Sequence, residues 1–402
     1  MSTYSYSHRY RISGLAAGLA ATVAGHTHAQ TPVSEASPEA TPVVGSSDSP
    51  FAVIAEEMLA RINALYWNDG DSGTYRPMHP MGPDDRPVAY LWPFSALVSG
   101  LGARARVRQD DESVADFIAS LHTLDLYFDE PDGEPAAWAS FPPIYGGGDR
   151  FYDDNQWLGM DFLHAYEMTG DESWLQKSLI VWDFSMDGWD EIEHGGGIFW
   201  KENDISTKNT CSNGPAAVHA MMLYEATGDP QYLDWAIRIM EWLEATLYDE
   251  VSGVYWDHIS IDGRIDRTHW SYNTGTPMEA SCRLYSATGD DTWLQKAKGL
   301  AEASLRMFAG AIDDNGVRTF PPNPWFNAVL QRGYNALYEI DPDNDRQYVE
   351  ALPNSLLRAW PANLTEDGLL PPDWSRRTES DAPLDLLEQA AVIEVASLAQ
   401  LT

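Results

Sequence analysis

Phe151-Tyr152-Asp153-Asp154-Asn155-Gln156-Trp157 places two adjacent acids between aromatics, after the glycine loop Tyr145-Gly146-Gly147-Gly148 and before the apolar run Leu158 to Tyr166. Two neighbouring carboxyls can divide proton transfer and nucleophilic attack between them, and aromatic faces stack on the apolar C–H surface of sugar rings. The chemistry this combination offers is cleavage of a glycosidic bond. A simpler explanation covers the same residues, because an N-cap and a first-turn acid are both favoured by exposed N–H groups and the helix dipole. The pair alone does not choose between them. The elements that carry it do.

Those elements repeat. Tyr166 to Trp174, Tyr224 to Tyr232 and Tyr285 to Trp293 all read Tyr-x-x-Thr-Gly-Asp-x-x-aromatic, and Tyr338 to Tyr348 is a looser copy. Each reads as a helix C-terminus with glycine at a left-handed stop, followed by an aspartate that caps the next helix. The leading tyrosines recur at intervals of 58, 61 and 53 residues, enough for a helical hairpin plus one long loop. Helical apolar spacing divides the chain into six pairs: Phe51–Trp67 with Trp92–Val107, Asp111–Phe128 with Asp153–Thr169, Glu172–Phe184 with Gly214–Thr227, Gln231–Tyr248 with Gly275–Thr288, Thr292–Phe308 with Trp325–Ile340, and Arg346–Trp360 with Pro383–Leu401. The expected fold is all-α, an (α/α)6 toroid. The more charged first member of each pair belongs to the outer ring and the apolar second member to the inner ring.

The long loops, rich in Gly, Pro and Trp, all lead from an outer helix into an inner one, so the inner N-termini gather on one rim. Aligned on the turn threonine, Asp154, Ser212 and Asn273 fall 15 residues before it, and Asp153, Cys211 and Tyr272 fall 16 before it; Trp325 and Phe326 correspond in the looser copy. A carboxylate pair facing a shared cavity favours catalysis over capping. Trp92, Tyr145, Trp200, Trp256, Trp270, Tyr272 and Trp325 also fall in rim loops or helix starts, where they can stack on sugars or simply pack the loops. Ser212 and Asn273 are candidate hydroxyl partners or ordinary caps. His164 and His219 read as satisfied core histidines. Asp341, Asp343 and Asp345 imitate the start of a calcium loop, but Arg346 and Leu352 at its sixth and twelfth positions break the pattern. They read as capping and turn residues, so no metal site is expected. Cys282 lies ten residues deeper along its helix than the equivalent of Cys211, about 15 Å, beyond the roughly 7 Å that a disulfide spans. Two free thiols are expected.

Of 402 residues, 61 are Asp or Glu and 25 are Lys or Arg, only five of them Lys, for a net charge of -36. That charge repels nucleic acid and anionic membranes, so a neutral polysaccharide or oligosaccharide is the fitting partner. Residues 1–29 read as an export signal, with His8, Arg9 and Arg11 before the short run Ile12 to Ala24, and 30–50 as a Ser/Thr/Pro linker. Residues 51–402 form the expected catalytic domain, monomeric, without cofactor and without a membrane span; the chain is secreted or held at the cell surface or in the periplasm.

Three motifs in order resemble glycoside hydrolase family 76, the endo-α-1,6-mannanases: Tyr152-Asp-Asp-Asn-Gln-Trp157, Gly195-Gly-Gly-Ile-Phe-Trp-Lys201 leading to Lys208-Asn-Thr-Cys-Ser-Asn-Gly214, and Trp270-Ser-Tyr-Asn-Thr-Gly275. The resemblance covers residues 51 to the C-terminus. It implies an (α/α)6 toroid that hydrolyses internal α-1,6-mannosidic bonds with retention, with Asp153 as nucleophile and Asp154 as general acid/base. Tyr152, Asn155, Trp200, Ser212, Asn213, Trp270, Tyr272, Asn273 and Trp325 are the substrate-binding candidates. Two departures, Thr274 where the family usually has Gln and Asn155-Gln156 where it is usually more apolar, touch subsite contacts more than the chemistry. A sugar 2-epimerase, a wall transglycosylase and a non-catalytic glycan-binding toroid are the alternatives.

Overall fold

The computed structural model describes residues 49–402, apart from 69–72, 315, 342, 344–345 and 378–381. The expected export signal and nearly all of the linker lie outside the described residues, as does Asp345. Among the described residues the chain forms twelve α-helices: α1 (Pro50–Leu65), α2 (Leu91–Arg108), α3 (Asp111–Thr123), α4 (Tyr152–Thr169), α5 (Glu172–Asp187), α6 (Thr210–Thr227), α7 (Pro230–Thr246), α8 (Tyr272–Thr288), α9 (Asp291–Phe308), α10 (Pro324–Ile340), α11 (Gln347–Ala362) and α12 (Leu386–Leu398).

The even helices close a ring: α2 packs on α4, α4 on α6, α6 on α8, α8 on α10, α10 on α12 and α12 back on α2. Each is screened on the outside by an odd helix: α3, α5, α7, α9 and α11 pack on the even helix before them, and α1 on α12. Burial explains the division. Residues Thr210 to Leu223 of α6 are all buried, whereas α7 buries only one stripe, including Ala236, Ile239, Met240 and Leu243. This is the (α/α)6 toroid that the helical spacing predicts.

The short turns follow the repeat chemistry. Gly170, Gly228 and Gly289 end α4, α6 and α8 at φ of 68°, 71° and 67°, where a side chain would be strained. The following Asp171, Asp229 and Asp290 accept from the backbone N–H of Ser173, Gln231 and Thr292 at 2.9 to 3.0 Å. Each turn therefore ends one helix and caps the next.

A second repeated device pins the long loops. The fourth residue of α4, Asn155, accepts from Trp138 N at 2.8 Å and donates to Trp138 O at 2.9 Å. The fourth residue of α6, Asn213, does the same with Ile198 at 2.8 and 3.0 Å, and the fourth of α12, Gln389, with Leu370 at 3.0 Å each way. Asn327, fourth in α10, donates to Pro321 O at 2.9 Å. A planar amide presents one donor and one acceptor edge, so it pairs with extended backbone as a strand would. It thereby holds each incoming loop over its inner helix.

The structure departs from the sequence expectation most clearly in three places; a smaller one is Leu384–Asp385, expected to be helical, which pairs as a strand with Met78–His79 before α12 begins. The helix expected over Asp111–Phe128 stops at Thr123 and tightens into a 3-10 turn, Leu124–Tyr127. α6 and α8 begin at Thr210 and Tyr272, a turn before the expected Gly214 and Gly275. Pro215 and Pro277 thus sit in the second turn, where each leaves a carbonyl without its helical N–H. The glycines before them serve close approach: a Cβ on Gly214 would lie 2.3 Å from Thr276 Oγ1, and one on Gly275 2.4 Å from Val329 O. Finally, the loops before α6 and α8 build a four-stranded antiparallel sheet in the order Phe199–Lys201, Asp204–Asn209, His258–Ser260, Ile265–Asp266. Its register sets Thr207 opposite Ser260 and Asn209 opposite His258. Helical spacing predicts only loop for these residues.

Candidate active site

At the rim the inner helices present Trp92, Asp153, Cys211, Tyr272, Trp325 and Leu387, each in the first turn of its helix. All six line one cleft of about 1320 Å³. The sheet supplies a wall through Asp204, Thr207, Asn209 and His258, and the segment from Asp84 to Tyr90 supplies another. Eight aspartates line the cleft, against Arg86 and His258 as its basic groups. So acidic a cleft repels polyanions, while aspartates among aromatic faces suit sugar hydroxyls.

Asp153 and Asp154 stand side by side on this floor, each partly exposed to the cleft. Their surroundings differ. Burial pushes the Asp153 carboxyl up, and hydrogen bonds from Cys211, the Trp200 side chain and the backbone N–H of Asp154 draw it back, to about 6; that last bond is 3.0 Å long. Asp154 has burial against it and then the charge of Asp153, and is held well above the ordinary carboxylate range. Two adjacent acids titrate as a pair, but the donors all converge on one. The geometry therefore favours Asp153 ionised and Asp154 protonated.

Of the other candidates, Trp200, Trp270, Tyr272 and Trp325 line the cleft. Tyr272 stacks on Phe326 at 4.2 Å between centroids, Trp270 meets Phe326 edge-on at 5.5 Å, and Trp325 stands between Trp92 and Trp157 at 5.5 and 5.2 Å. Five candidates are set behind the floor. Tyr152 faces away, its ring 4.8 Å from Phe184. Asn155 and Asn213 are spent on the loop backbone, and Ser212 is fully buried. Asn273 is buried as well, and its Nδ2 donates to Asp257 Oδ1 at 3.2 Å. These residues lie one or two positions off the face that meets the cleft, a distinction that sequence distance from a turn does not resolve.

Asp257 escaped the sequence reading. It lines the cleft, and its Oδ2 meets His258 Nδ1 at 2.8 Å. Its place follows from the hairpin pairing of His258 with Asp266 and Asn209, and the only local signal is its neighbour Trp256. Among the described residues Asp257, His258 and Asp266 bring one ligand atom each within 4.8 Å of one another. Asp257 is already engaged with His258 and Asn273, and Asp266 accepts from Thr268 N at 2.9 Å.

His219 is fully buried, with Nε2 2.7 Å from Ser178 Oγ. His164 lines a separate hollow at the opposite mouth of the barrel, beside Arg106, Glu167, Cys282 and Arg283. Cys211 and Cys282 thus belong to opposite ends of the inner ring, and both are free thiols. Asp341 pairs with Lys298.

An inner-helix ring, a cleft walled by aromatics and aspartates, and an adjacent acid pair at a helix N-terminus define a glycosidase-type toroid. The family model for glycosyl hydrolase family 76 matches residues 52–401, and the chain belongs to that family. A family 76 mannosidase structure from Bacteroides thetaiotaomicron is 27% identical, with a TM-score of 0.79, covering 88% of this chain and 98% of that one. An α-1,6-mannanase of Salegentibacter sp. HEL1_6 is 26% identical with a TM-score of 0.71, covering 88% and 100%; it is an inactive variant with two adjacent aspartates changed to alanine, in complex with α-1,6-mannotetrose. A mannan endo-1,6-α-mannosidase of Candida glabrata is 27% identical over 265 residues, 60% of this chain and 59% of that protein. That of Saccharomyces cerevisiae is 30% identical over 176 residues, 40% and 39%. The match spans less than two thirds of either fungal relative.

Proposed function

We propose that the chain is an exported glycoside hydrolase that cleaves internal α-1,6-mannosidic bonds of mannan with retention of configuration, acting as a monomer on a neutral polysaccharide. One observation carries the reading: an adjacent carboxyl pair at a helix N-terminus on the floor of a cleft of about 1320 Å³ walled by aromatics, in which the backbone N–H of Asp154 donates to Asp153 at 3.0 Å. In this reading the ionised Asp153 attacks the anomeric carbon, and Asp154 delivers its proton to the departing oxygen. A covalent glycosyl ester forms on Asp153. Asp154, now a carboxylate, takes a proton from water, and that water attacks the same carbon and releases the sugar.

Retention needs carboxyls about 5 to 5.5 Å apart, and inversion needs about 6.5 to 9.5 Å to leave room for a water. Side chains of consecutive residues suit the shorter span. The cleft exceeds the roughly 300 to 1,000 Å³ of pockets for single small ligands, which suits a chain gripped at several sugars and cut internally. Among the described residues no helix is long and apolar enough to cross a membrane, in keeping with action on an external polymer.

The test is incubation with linear α-1,6-mannan and chromatography of the products. A ladder of oligosaccharides is expected. Release of mannose alone would make the action exo, longer chains would indicate a transglycosylase, conversion of mannose to glucose an epimerase, and intact polymer retained on the protein a binder.

A further inference from the structure

The inner helices enclose a second hollow, of about 580 Å³, at the mouth opposite the cleft. The C-terminal turns of α2, α4, α6, α8 and α10 line it, with Arg106, Tyr166, Glu225, Ser286 and Glu339 among their contributions. The barrel interior closes it off from the acid pair. Midway along the inner helices Ser99 donates to Asp161 at 2.7 Å and Arg332 pairs with Glu394.

Several polar groups at this hollow are not used by the fold. Among the described residues neither the Arg106 guanidinium nor the Glu339 carboxylate makes a hydrogen bond or an ion pair. His164 Nδ1 is buried without a hydrogen-bond partner, 3.8 Å from Glu167 Oε2. Arg283, by contrast, is spent: it donates to Glu225 at 2.6 Å and to Glu279 at 2.9 Å. Charge decides which ligand suits the groups that remain. Arg106 and Arg283 repel a cation, whereas Glu167, Glu225, Glu339 and the negative ends of five helices repel an anion. A neutral polyol meets neither penalty. Its hydroxyls donate to carboxylates and accept from a guanidinium, and the half-buried Tyr166 offers an aromatic face to ring C–H groups. The volume lies within the roughly 300 to 1,000 Å³ of small-ligand sites.

We propose that this hollow is a second, non-catalytic carbohydrate site that binds a short neutral oligosaccharide, with Arg106 and Glu339 as its polar anchors. The inference rests on the mannanase reading only for the identity of the sugar, α-1,6-linked mannose. A grip at the far mouth keeps a polymer chain beside the enzyme between cuts, which raises the local concentration of cleavable bonds.

The experiment is carbon-13 methyl NMR of the methionines in the full chain carrying Asp153→Asn, titrated with α-1,6-mannotriose. Met222 lines the hollow and Met78 the cleft, and each signal is assigned by a Met→Leu change that nearly conserves volume. Both signals should move. Arg106→Ala should weaken the affinity read at Met222 about tenfold, the usual loss for one hydrogen bond to a charged group. The same change should leave the Met78 response and, in the otherwise wild-type enzyme, the hydrolysis of short substrates unaltered. Glu339→Gln, on the exposed rim where the fold does not depend on it, should weaken the Met222 response in the same direction. A Met222 signal unmoved by mannotriose, a response that both variants keep, or a response to inorganic phosphate in place of the sugar overturns the proposal. If Met222 responds and Met78 does not, the second site stands and the mannan reading of the cleft fails.

Discussion

At the residue scale the two carboxyls, Asp153 and Asp154, share an address but not a neighbourhood. The sequence places both on the rim, and the family resemblance divides their roles. The proposed division agrees with their surroundings, since the backbone N–H of Asp154 donates to Asp153 at 3.0 Å, while burial and the charge of Asp153 hold Asp154 well above the ordinary carboxylate range. Asp153→Asn and Asp154→Asn should each lower mannan hydrolysis by at least about a thousandfold, roughly 4 kcal/mol of transition-state stabilisation, with an unchanged circular dichroism spectrum. A variant near wild-type turnover would reduce its residue to a cap. The pH dependence follows from the same environment. Attack needs Asp153 ionised, so kcat/KM should fall as pH drops through about 6; proton donation needs Asp154 protonated, so the alkaline limb belongs to Asp154, whose pKa is raised further. The signs also predict a trade of stability for function. A carboxyl whose folded pKa is raised destabilises the fold above its unfolded value near 4, so Asp153→Asn should stabilise the protein at pH 7 by roughly 1 to 3 kcal/mol and leave it unchanged below about pH 3. Thermal melts at the two pH values check this, and a variant less stable at pH 7 would contradict it. Tyr152, Asn155 and Asn213 were not legible as structural residues, because a motif shows which residues travel together without showing which way each side chain points.

At the scale of elements, the helices were legible and the strands were not. A 3.6-residue apolar period over a dozen residues or more is a strong signal, and α4, α9 and α10 start and stop within about a residue of expectation. Strands of two to six residues in loops rich in Gly and Trp carry too few alternations to register, so the wall bearing Asp257 and His258 emerged only with the fold. The amides that start the inner helices join the two scales. Asn155→Ala should cost about 2 to 4 kcal/mol, because it strips partners from the buried backbone N–H and C=O of Trp138. A melting temperature within a degree of wild type would show the loop to be held otherwise. The aromatic elements separate by distance from the acids. Trp200 lines the cleft with the acid pair and draws the Asp153 carboxyl down, so its removal should reduce turnover of short and long substrates alike. Trp270 has Phe326 for its ring partner, and Trp270→Ala should weaken binding of long oligosaccharides more than hydrolysis of short activated ones. Equal losses in Trp270→Ala would indicate collapse of its loop.

At the scale of the whole molecule, six helical hairpins turn a sequence repeat into a ring, and the ring gathers six first turns around one cleft. The acid pair occupies the place that sister repeats give to Cys211 and Ser212 or to Tyr272 and Asn273, which is why the repeat, more than the pair by itself, singles out this position as the candidate site. The net charge of -36 works against compactness through self-repulsion that salt screens, so the melting temperature should rise between about 0.05 and 1 M sodium chloride; a fall would place the controlling charges in favourable pairs instead. The central claim is retaining cleavage by the adjacent pair, and proton NMR of the first products from linear α-1,6-mannan tests it most directly. With retention the new reducing ends appear first as the α-anomer, with β arising only by later mutarotation. β-Anomer at the earliest times would mean single-step inversion, and would contradict the assignment of Asp153 as a nucleophile.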